Sequence, residues 1–385
     1  MTSAERRIRR RMRRFAKRNK NKQNFLQTVN DATKVFSFWH LLNAGLRCCR
    51  SVRWKASVQK FEMRLISNCW KITIQIFTYK WKPKRASHFL LFDAGKLRQI
   101  DSVNIWTRVV QCCLCFNCLM PIAERSAVND SYSSRPNKGT DYAISKFVIH
   151  LEEAKATYEL FYIYIFDFSK FFASILHEPL RKLLSSFITD PVILYVIDQI
   201  MQLFGERGLQ LGSHFSQSSA VLLGVGLDNC IKSQYATKGY GRYSDDGFII
   251  DNDYDRLLQK VKCFTEKASY YGLSINQTKA KILTSNDVLH FLKKRYKFNG
   301  NRVYVRIINK SVTKTHRRRQ RLFKKYDAGK ISVDDILVSY NTWANYAIKY
   351  NSKRSVRNVQ QYVINKLVER GISYAAQRYQ VCAVH

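Results

Sequence analysis

Apolar positions along this chain fall into two periods. Spacings of three and four place side chains on one helical face. They dominate residues 35–75, where Val58, Phe61, Leu65 and Trp70 form one stripe. At Ile72 the period turns toward two, and Lys71-Ile72-Thr73-Ile74-Gln75-Ile76-Phe77 predicts a strand. Residues 88–92 and 97–100, joined by Asp93-Ala94-Gly95-Lys96, predict a hairpin with Lys96 and Arg98 near its tip. Residues 106–120 read as an apolar helix that uses cysteine as a small hydrophobe. A turn-rich loop over 131–140 leads to a helix over 142–155. The run Phe161-Tyr162-Ile163-Tyr164-Ile165-Phe166 is apolar on both faces and predicts a central, doubly covered strand ending on Asp167.

Helices follow over 178–187 and 192–204, the second opened by Asp190 as N-cap and Pro191 at the first helical position. A loop from Gly208 to Gly212 leads into a long helix over 216–234. A short apolar hairpin then carries Tyr243-Ser244-Asp245-Asp246 at its tip. Beyond it the pattern predicts a helix at 254–271, a strand at 281–284 and paired strands near 290–298 and 302–307. From Val312 on it predicts a basic three-helix unit. Asp251, Asp253 and Asp255 imitate a calcium loop, but Arg256 stands where that loop needs Gly and Lys262 where it needs Glu. No internal repeat is evident. The order of elements is that of an α+β protein.

Charge narrows the choice of partner. Lys and Arg number 66 against 28 Asp and Glu, a net +38 over 385 residues. Such an excess repels itself and suits a polyanion. The first 22 residues hold eleven Lys/Arg with Glu5 as the single acid, and residues 314–325 hold seven more. Both segments are expected to track phosphates. The longest apolar run found by inspection, residues 35–46, is broken by His40 and Asn43 and falls short of the roughly 20 residues a membrane span needs. Nucleic acid, and no membrane, is therefore the expected partner. Ten cysteines without a secretory leader predict a reducing, cytoplasmic setting. The cluster Cys112, Cys113, Cys115 and Cys118 lacks a second Cys/His pair at zinc spacing, so it reads as core.

Adjacent side chains on a strand face opposite ways, so two neighbouring aspartates belong at a turn rather than in a core. One antiparallel sheet backed by helices would bring Asp167 beside Asp245 and Asp246. Three clustered carboxylates repel unless divalent cations neutralise them. Two Mg²⁺ ions about 4 Å apart, with Mn²⁺ able to substitute, would activate a hydroxyl and stabilise a departing pyrophosphate.

At this point the chain resembles the bacterial reverse transcriptases, over roughly residues 80–360. Asp167-Phe168-Ser169-Lys170-Phe171-Phe172, followed by Ser174-Ile175, resembles the family's first catalytic motif, and Tyr243-Ser244-Asp245-Asp246 its second. Gly208-Leu209-Gln210-Leu211-Gly212-Ser213-His214-Phe215-Ser216 resembles the template-and-nucleotide loop. Leu273-Ser274-Ile275-Asn276-Gln277-Thr278-Lys279 and Phe291-Leu292-Lys293-Lys294-Arg295-Tyr296 resemble the motifs after the hairpin. Ser131-Tyr132 with Arg135 and Lys138-Gly139-Thr140, and Lys96-Leu97-Arg98, are similar to finger motifs. Seven motifs in the family's order make the resemblance specific.

The resemblance implies a right-hand polymerase: a basic N-terminal extension (1–75), fingers (76–160), a palm (161–308) and a helical thumb (309–375). It implies Asp167, Asp245 and Asp246 as metal ligands, and Lys279 as the acid that protonates pyrophosphate. Lys96 and Arg98 would hold the incoming dNTP, Phe172 would exclude a ribose 2′-OH, and Leu211 and Gly212 would face the nascent base pair. Arg135, Lys138, Ser216, Gln217, Ser244, Lys293 and Lys294 would contact template or primer. Ser244, beneath the primer end, is also a candidate for tuning fidelity. Arg317, Arg318 and Arg319, with the arm 1–22, would grip RNA. Trp343 and Tyr346 are expected in the thumb's core. The partners implied are an RNA template (a structured non-coding RNA), the cDNA, dNTPs and a small accessory protein.

There are departures from the family pattern. The loop usually reads Pro-Gln-Gly and ends Ser-Pro, whereas here it is Gln210-Leu211-Gly212 and ends Ser216-Gln217. That form resembles the reverse transcriptases of diversity-generating retroelements, in which the replaced Gln is associated with poor fidelity at template adenines. Lys293 replaces a usual Gly, and Thr107-Arg108 lacks the usual Asp before that Arg. The expected function is RNA-directed DNA synthesis, error-prone, in a diversity-generating retroelement. An antiphage-defence or prophage enzyme making cDNA from a non-coding RNA is the alternative role. A catalytically idle RNA-binding protein is the alternative class, and an RNA polymerase is disfavoured by Phe172.

Overall fold

A computed structural model describes residues 9, 12, 23–50, 52–84, 87–93, 96–210 and 212–372. Apart from Arg9 and Met12, the basic arm 1–22 lies outside the described residues, as does Leu211. The chain forms two compact units. The first comprises residues up to 143 with 166–249 and 255–280; the second comprises 144–165, 250–254 and 281 onward.

The first unit opens with helices α1 (Ala32–Val35), α2 (Phe38–Arg50), α3 (Ala56–Glu62) and α4 (Leu65–Phe77). Helix α4 corrects the strand expected over 71–77. Cys69, Ile72 and Ile76 are buried at spacings of three and four, while Ile74 of the alternating series is 49% exposed. One stripe packed against α2 outweighs the local alternation. The hairpin forms as expected, β1 (Ser87–Asp93) against β2 (Lys96–Ser102). Helix α5 (Ile105–Leu114) then runs through a π turn, Cys115–Leu119, into α6 (Met120–Ser126). By length and composition Ile105–Ser126 could cross a membrane, which corrects the expectation that no run was long enough. Its most apolar window is 72% buried inside the protein. The four cysteines of this helix are buried, as a small-hydrophobe role requires, and burial pushes the Cys115 thiol up to about 12.

Helix α7 (Thr140–Thr157) and strand β3 (Tyr162–Ser169) follow. The strand runs two residues past Asp167, where it was expected to end. After α8 (Phe171–Ser174) and α9 (His177–Ser185), Asp190 caps α10 (Pro191–Met201), accepting from the amides of Val192 and Ile193 at 2.8 and 3.1 Å. Its second oxygen accepts from the Ala32 amide at 2.8 Å, which ties the N-terminal helices to this unit. Long helix α11 (His214–Lys232) packs along α5 and α6. The hairpin β4 (Tyr240–Tyr243) and β5 (Asp246–Asp251), helix α12 (Tyr254–Tyr270) and the short β6 (Ser274–Ile275) complete a sheet of order β4-β5-β3-β6. Strand β7 (Lys281–Thr284) pairs antiparallel with the first half of β3, from Tyr162↔Thr284 to Ile165↔Lys281.

In the second unit the strand expected near 290–298 is two strands, β8 (Leu289–Phe291) and β9 (Lys294–Asn299), with β10 (Arg302–Ile307) beside β9. The turn between β8 and β9 puts Leu292 at φ +47° and Lys293 at φ +60°. A two-residue hairpin loop with both residues left-handed matches strand twist, and this explains why glycine is at home at position 293. Phe147 of α7 packs on Phe291 and Tyr296, with ring centroids 4.9 and 4.8 Å away. The expected three-helix unit is present as α13 (Asn309–Asp327), α14 (Val333–Lys349) and α15 (Lys353–Val368).

Two residues assigned to nucleic acid turn inward here. Lys294 is fully buried, its ammonium 4.3 and 4.2 Å from the ring centres of Tyr346 and Tyr350, and it donates to the Tyr346 hydroxyl. Arg319 is 1% exposed and donates to the Ser339 Oγ and carbonyl at 2.8 and 2.6 Å. Burial, with Arg318 beside it, lowers the Arg319 pKa to about 10. Arg317 and Arg318 stay exposed. Trp343 is half-buried and Tyr346 is 43% exposed over Lys294, so Tyr346 is not the core residue expected.

Candidate active site

Backbone pairing brings the three carboxylates together. The Phe168 amide donates to the Asp245 carbonyl at 3.1 Å, which sets the end of β3 against the hairpin tip. On the other side the Asn276 amide donates to the Asp167 carbonyl at 2.8 Å, and Phe168 pairs with Ile275. Tyr243 pairs with Asp246, so the turn consists of Ser244 and Asp245, and Asp246 already belongs to β5. Ser244 has φ +57°, the left-handed conformation a tight turn demands. Gly247 is required next, because a Cβ there would come within 2.3 Å of the Phe166 ring.

Electrostatics record the crowding. Burial, with Asp245 and Asp167 close by, raises the Asp246 pKa to about 7. Burial, with Asp167 near, also raises that of Asp245. Lys279 donates to Asp167 Oδ2 at 2.5 Å, and this bond raises the lysine's pKa, so it stays an ammonium. Among the described residues no three His, Cys, Asp or Glu side chains stand ready-made as a metal site. Proximity and ligand geometry are different conditions: the carboxylates are close enough to perturb each other, and a lysine occupies one of them. Their hard oxygen donors and unneutralised charge fit divalent magnesium or manganese. Such an ion would displace Lys279 from Asp167.

The residues expected to meet the nucleotide lie on the turn after β3, on the loop before α11 and on β2. Lys170, at φ +47°, turns the chain after β3 and places Phe171 against Phe168 in a stacked contact of 5.7 Å. Phe172 is half-buried next to it. The Leu209 amide donates to the Phe172 carbonyl at 2.7 Å and the Gly208 amide to Ile175 at 2.8 Å, fastening the loop to that turn. Gly212 is exposed at φ +89° with open space where a Cβ would stand, so its backbone conformation, not crowding, calls for glycine. Gln210 is 5% exposed and its Oε1 is buried without a partner. Lys96 and Arg98 lie on β2, but their side chains lie outside what the structure describes.

Two residues expected at template or primer, Arg135 and Ser216, are buried instead, and a third, Lys138, is half-buried. Arg135 is 8% exposed and pairs with Glu124 at 2.9 Å while donating to the carbonyls of Val128 and Ser131. Lys138 donates to the Asn129 carbonyl at 2.7 Å. Ser216 is 1% exposed inside α11, and its Oγ is buried without a partner. Arg135 and Lys138 tie their own loop together, whereas Gln217 and Lys293 are exposed.

The sequence reading missed a buried ion pair beneath the hairpin. Asp228 is 0% and Arg242 2% exposed, and Nε and the second terminal nitrogen of Arg242 reach the two carboxylate oxygens at 2.7 and 3.1 Å. Tyr240 donates to the same Asp228 at 2.5 Å. The remaining guanidinium nitrogen donates to the Ser244 carbonyl at 2.8 Å, inside the turn that carries Asp245. Gly224 makes room for the guanidinium: a Cβ there would lie 1.7 Å from the terminal nitrogen that bonds Asp228. The signal available in sequence was the helix's single acid, Asp228, just after the apolar run 220–227.

A carboxylate cluster at a β3–hairpin junction, flanked by an ammonium and an aromatic turn, is an arrangement that metal-dependent nucleotidyl transfer can use. Residues 82–314, more than half of the chain, match the family model for reverse transcriptase (RNA-dependent DNA polymerase). The chain belongs to that family. It is an RNA-directed DNA polymerase, with the right-hand polymerase fold, divalent-metal use, RNA template and nucleotide substrates of the family. A search of curated proteins finds no match.

Proposed function

We propose that this enzyme adds dNTPs to a primer on a structured RNA template at the Asp167–Asp245–Asp246 cluster, with low fidelity, as the polymerase of a diversity-generating retroelement. The convergence of three carboxylates around one lysine carries the catalytic part of this reading. The three aspartates would hold two divalent ions, magnesium with manganese as substitute, which lower the pKa of the primer 3′-hydroxyl and neutralise the leaving pyrophosphate. Lys279, an ammonium beside the cluster, would deliver a proton from Nζ to the departing pyrophosphate once released from Asp167. Phe172, whose carbonyl accepts from the Leu209 amide, would oppose a ribose 2′-OH with its bulk. Lys96 and Arg98 would meet the triphosphate from the fingers, and α13 to α15 would serve as the thumb, with Arg317 and Arg318 toward phosphates.

Infidelity follows from the loop. Gln210 is turned inward, and Leu211 cannot donate the hydrogen bond a Gln side chain offers, so geometric checking of the new pair is weakened. Primer extension on an RNA template with dNTPs or NTPs tests the chemistry, and Asp245→Ala, Asp246→Ala should abolish it. A protein that binds RNA yet extends nothing with either metal would leave only the idle RNA-binding reading. Leu211→Gln should lower misincorporation opposite template adenine, and an unchanged error spectrum would remove the fidelity argument.

A further inference from the structure

Outside the carboxylate cluster, the first unit holds a cleft of about 670 Å³ whose charge is of one sign. Lys60, Lys71, Lys80, Lys82 and Lys84 line it, together with Asn68 and Gln75 and no acid among the described lining residues. A smaller cavity of about 150 Å³ shares Ser57, Asn104 and Ile105 with it and adds Lys55 and Arg108. The two adjoin at these shared residues, so the basic groove runs from α3 and α4 to the start of α5 past the walls they have in common.

The floor of this groove is fixed. Trp81 is fully buried, and the Tyr195 hydroxyl donates to its carbonyl at 2.6 Å. The Thr107 hydroxyl accepts from the Lys84 amide at 2.8 Å. The Lys84 ammonium sits 4.8 Å from the Trp106 ring centre. Segment 80–84 therefore presents its lysines from an anchored backbone. So many ammonium groups in one cleft repel one another unless an anion enters. Lysines offer point charges for phosphates and do not read base edges. A discrete pocket would suit a single small anion, whereas a groove continued by a second basic cavity suits a linear one.

We infer that this groove binds the sugar–phosphate backbone of a single-stranded RNA segment, as an anchor separate from the catalytic cluster. The inference rests on the family's use of RNA and adds where this chain holds it. The test uses the full chain and a labelled oligouridine, with affinity followed against salt. Lys60→Gln, Lys71→Gln, Lys82→Gln removes three exposed charges. It should make the slope of log affinity against log salt shallower by about 2, at roughly 0.7 per phosphate contact on a single strand. A control of equal charge change, Lys238→Gln, Lys262→Gln, Lys330→Gln, should keep the wild-type slope. Equal slopes for all three proteins, or an equal loss in both variants, would overturn the inference. So would inorganic tripolyphosphate displacing the RNA at matched phosphate concentration, which would mark a small-anion pocket. The slope needs no catalysis, so a wild-type protein that binds but does not extend a primer counts against the polymerase reading alone.

Discussion

Asp228→Asn probes how the fold holds the active hairpin. In the native protein the carboxylate receives two guanidinium hydrogen bonds and the Tyr240 hydroxyl, all away from water. An amide keeps one acceptor but turns a donor toward Arg242 and removes the charge that offsets its burial. Removing one partner of a buried ion pair costs about 3–5 kcal/mol, because the other charge stays behind uncompensated. At about 1.2 °C per kcal/mol for 385 residues, from an unfolding entropy of about 2.1 cal/mol/K per residue, the melting temperature should fall by about 5 °C. The activity loss should exceed what unfolding explains. Arg242 also donates to the Ser244 carbonyl, so a guanidinium freed from Asp228 no longer fixes the turn beneath Asp245.

Thermal unfolding and steady-state primer extension, both taken well below the melting point, separate these effects. The expected signature is a fall in kcat with little change in KM for dNTP, since Asp228 touches no substrate. Asp228→Leu with Arg242→Met refines the test. Apolar replacement of both partners should recover much of the stability, yet kcat should stay low because the bond to Ser244 is gone. A melting temperature within a degree of wild type, or full activity in the double variant, would refute the argument that this pair positions the hairpin.

Phe172→Val should admit ribonucleotides, raising the NTP-to-dNTP incorporation ratio roughly tenfold or more, as expected for opening one apolar contact; an unchanged ratio would remove the gate role. Asp246 gives a pH signature in the metal-free protein. Its folded pKa is raised to about 7 from an ordinary carboxylate's, so its contribution to stability is present below about pH 4 and lost as pH rises through about 7. Metal-free melting temperatures should therefore decline across that window, and magnesium should raise them more at pH 8 than at pH 6. Asp246→Asn should flatten both trends. Lys293→Gly should stabilise the second unit by up to about 1 kcal/mol, because Lys293 holds a left-handed conformation that costs a side-chain-bearing residue about that much; thermal melts check it.

The carboxylates were legible because chemistry dictates their spacing: strand, turn and acid had to coincide, and the turn's closure by Tyr243 and Asp246 follows from a two-residue loop. The strand forecast over 71–77 failed because alternation of Ile72, Ile74 and Ile76 also fits a helix in which one of the three is exposed. Charge was the least legible property. Neither net charge nor motif position carries information on a side chain's direction, and the pattern put Arg135, Lys294 and Arg319 all on nucleic acid. The fold instead buries each beside a specific acceptor: Glu124, the tyrosines 346 and 350, and Ser339. A cation can be buried only where its charge or hydrogen bonds are compensated. The sorting rule is then physical. Basic residues with such compensation build the scaffold, and those gathered in a solvent-open groove whose described lining has no acid are left to meet a polyanion. By that rule the lysines along α3, α4 and segment 80–84 are stronger nucleic-acid contacts than three of the arginines and lysines that the family pattern singled out.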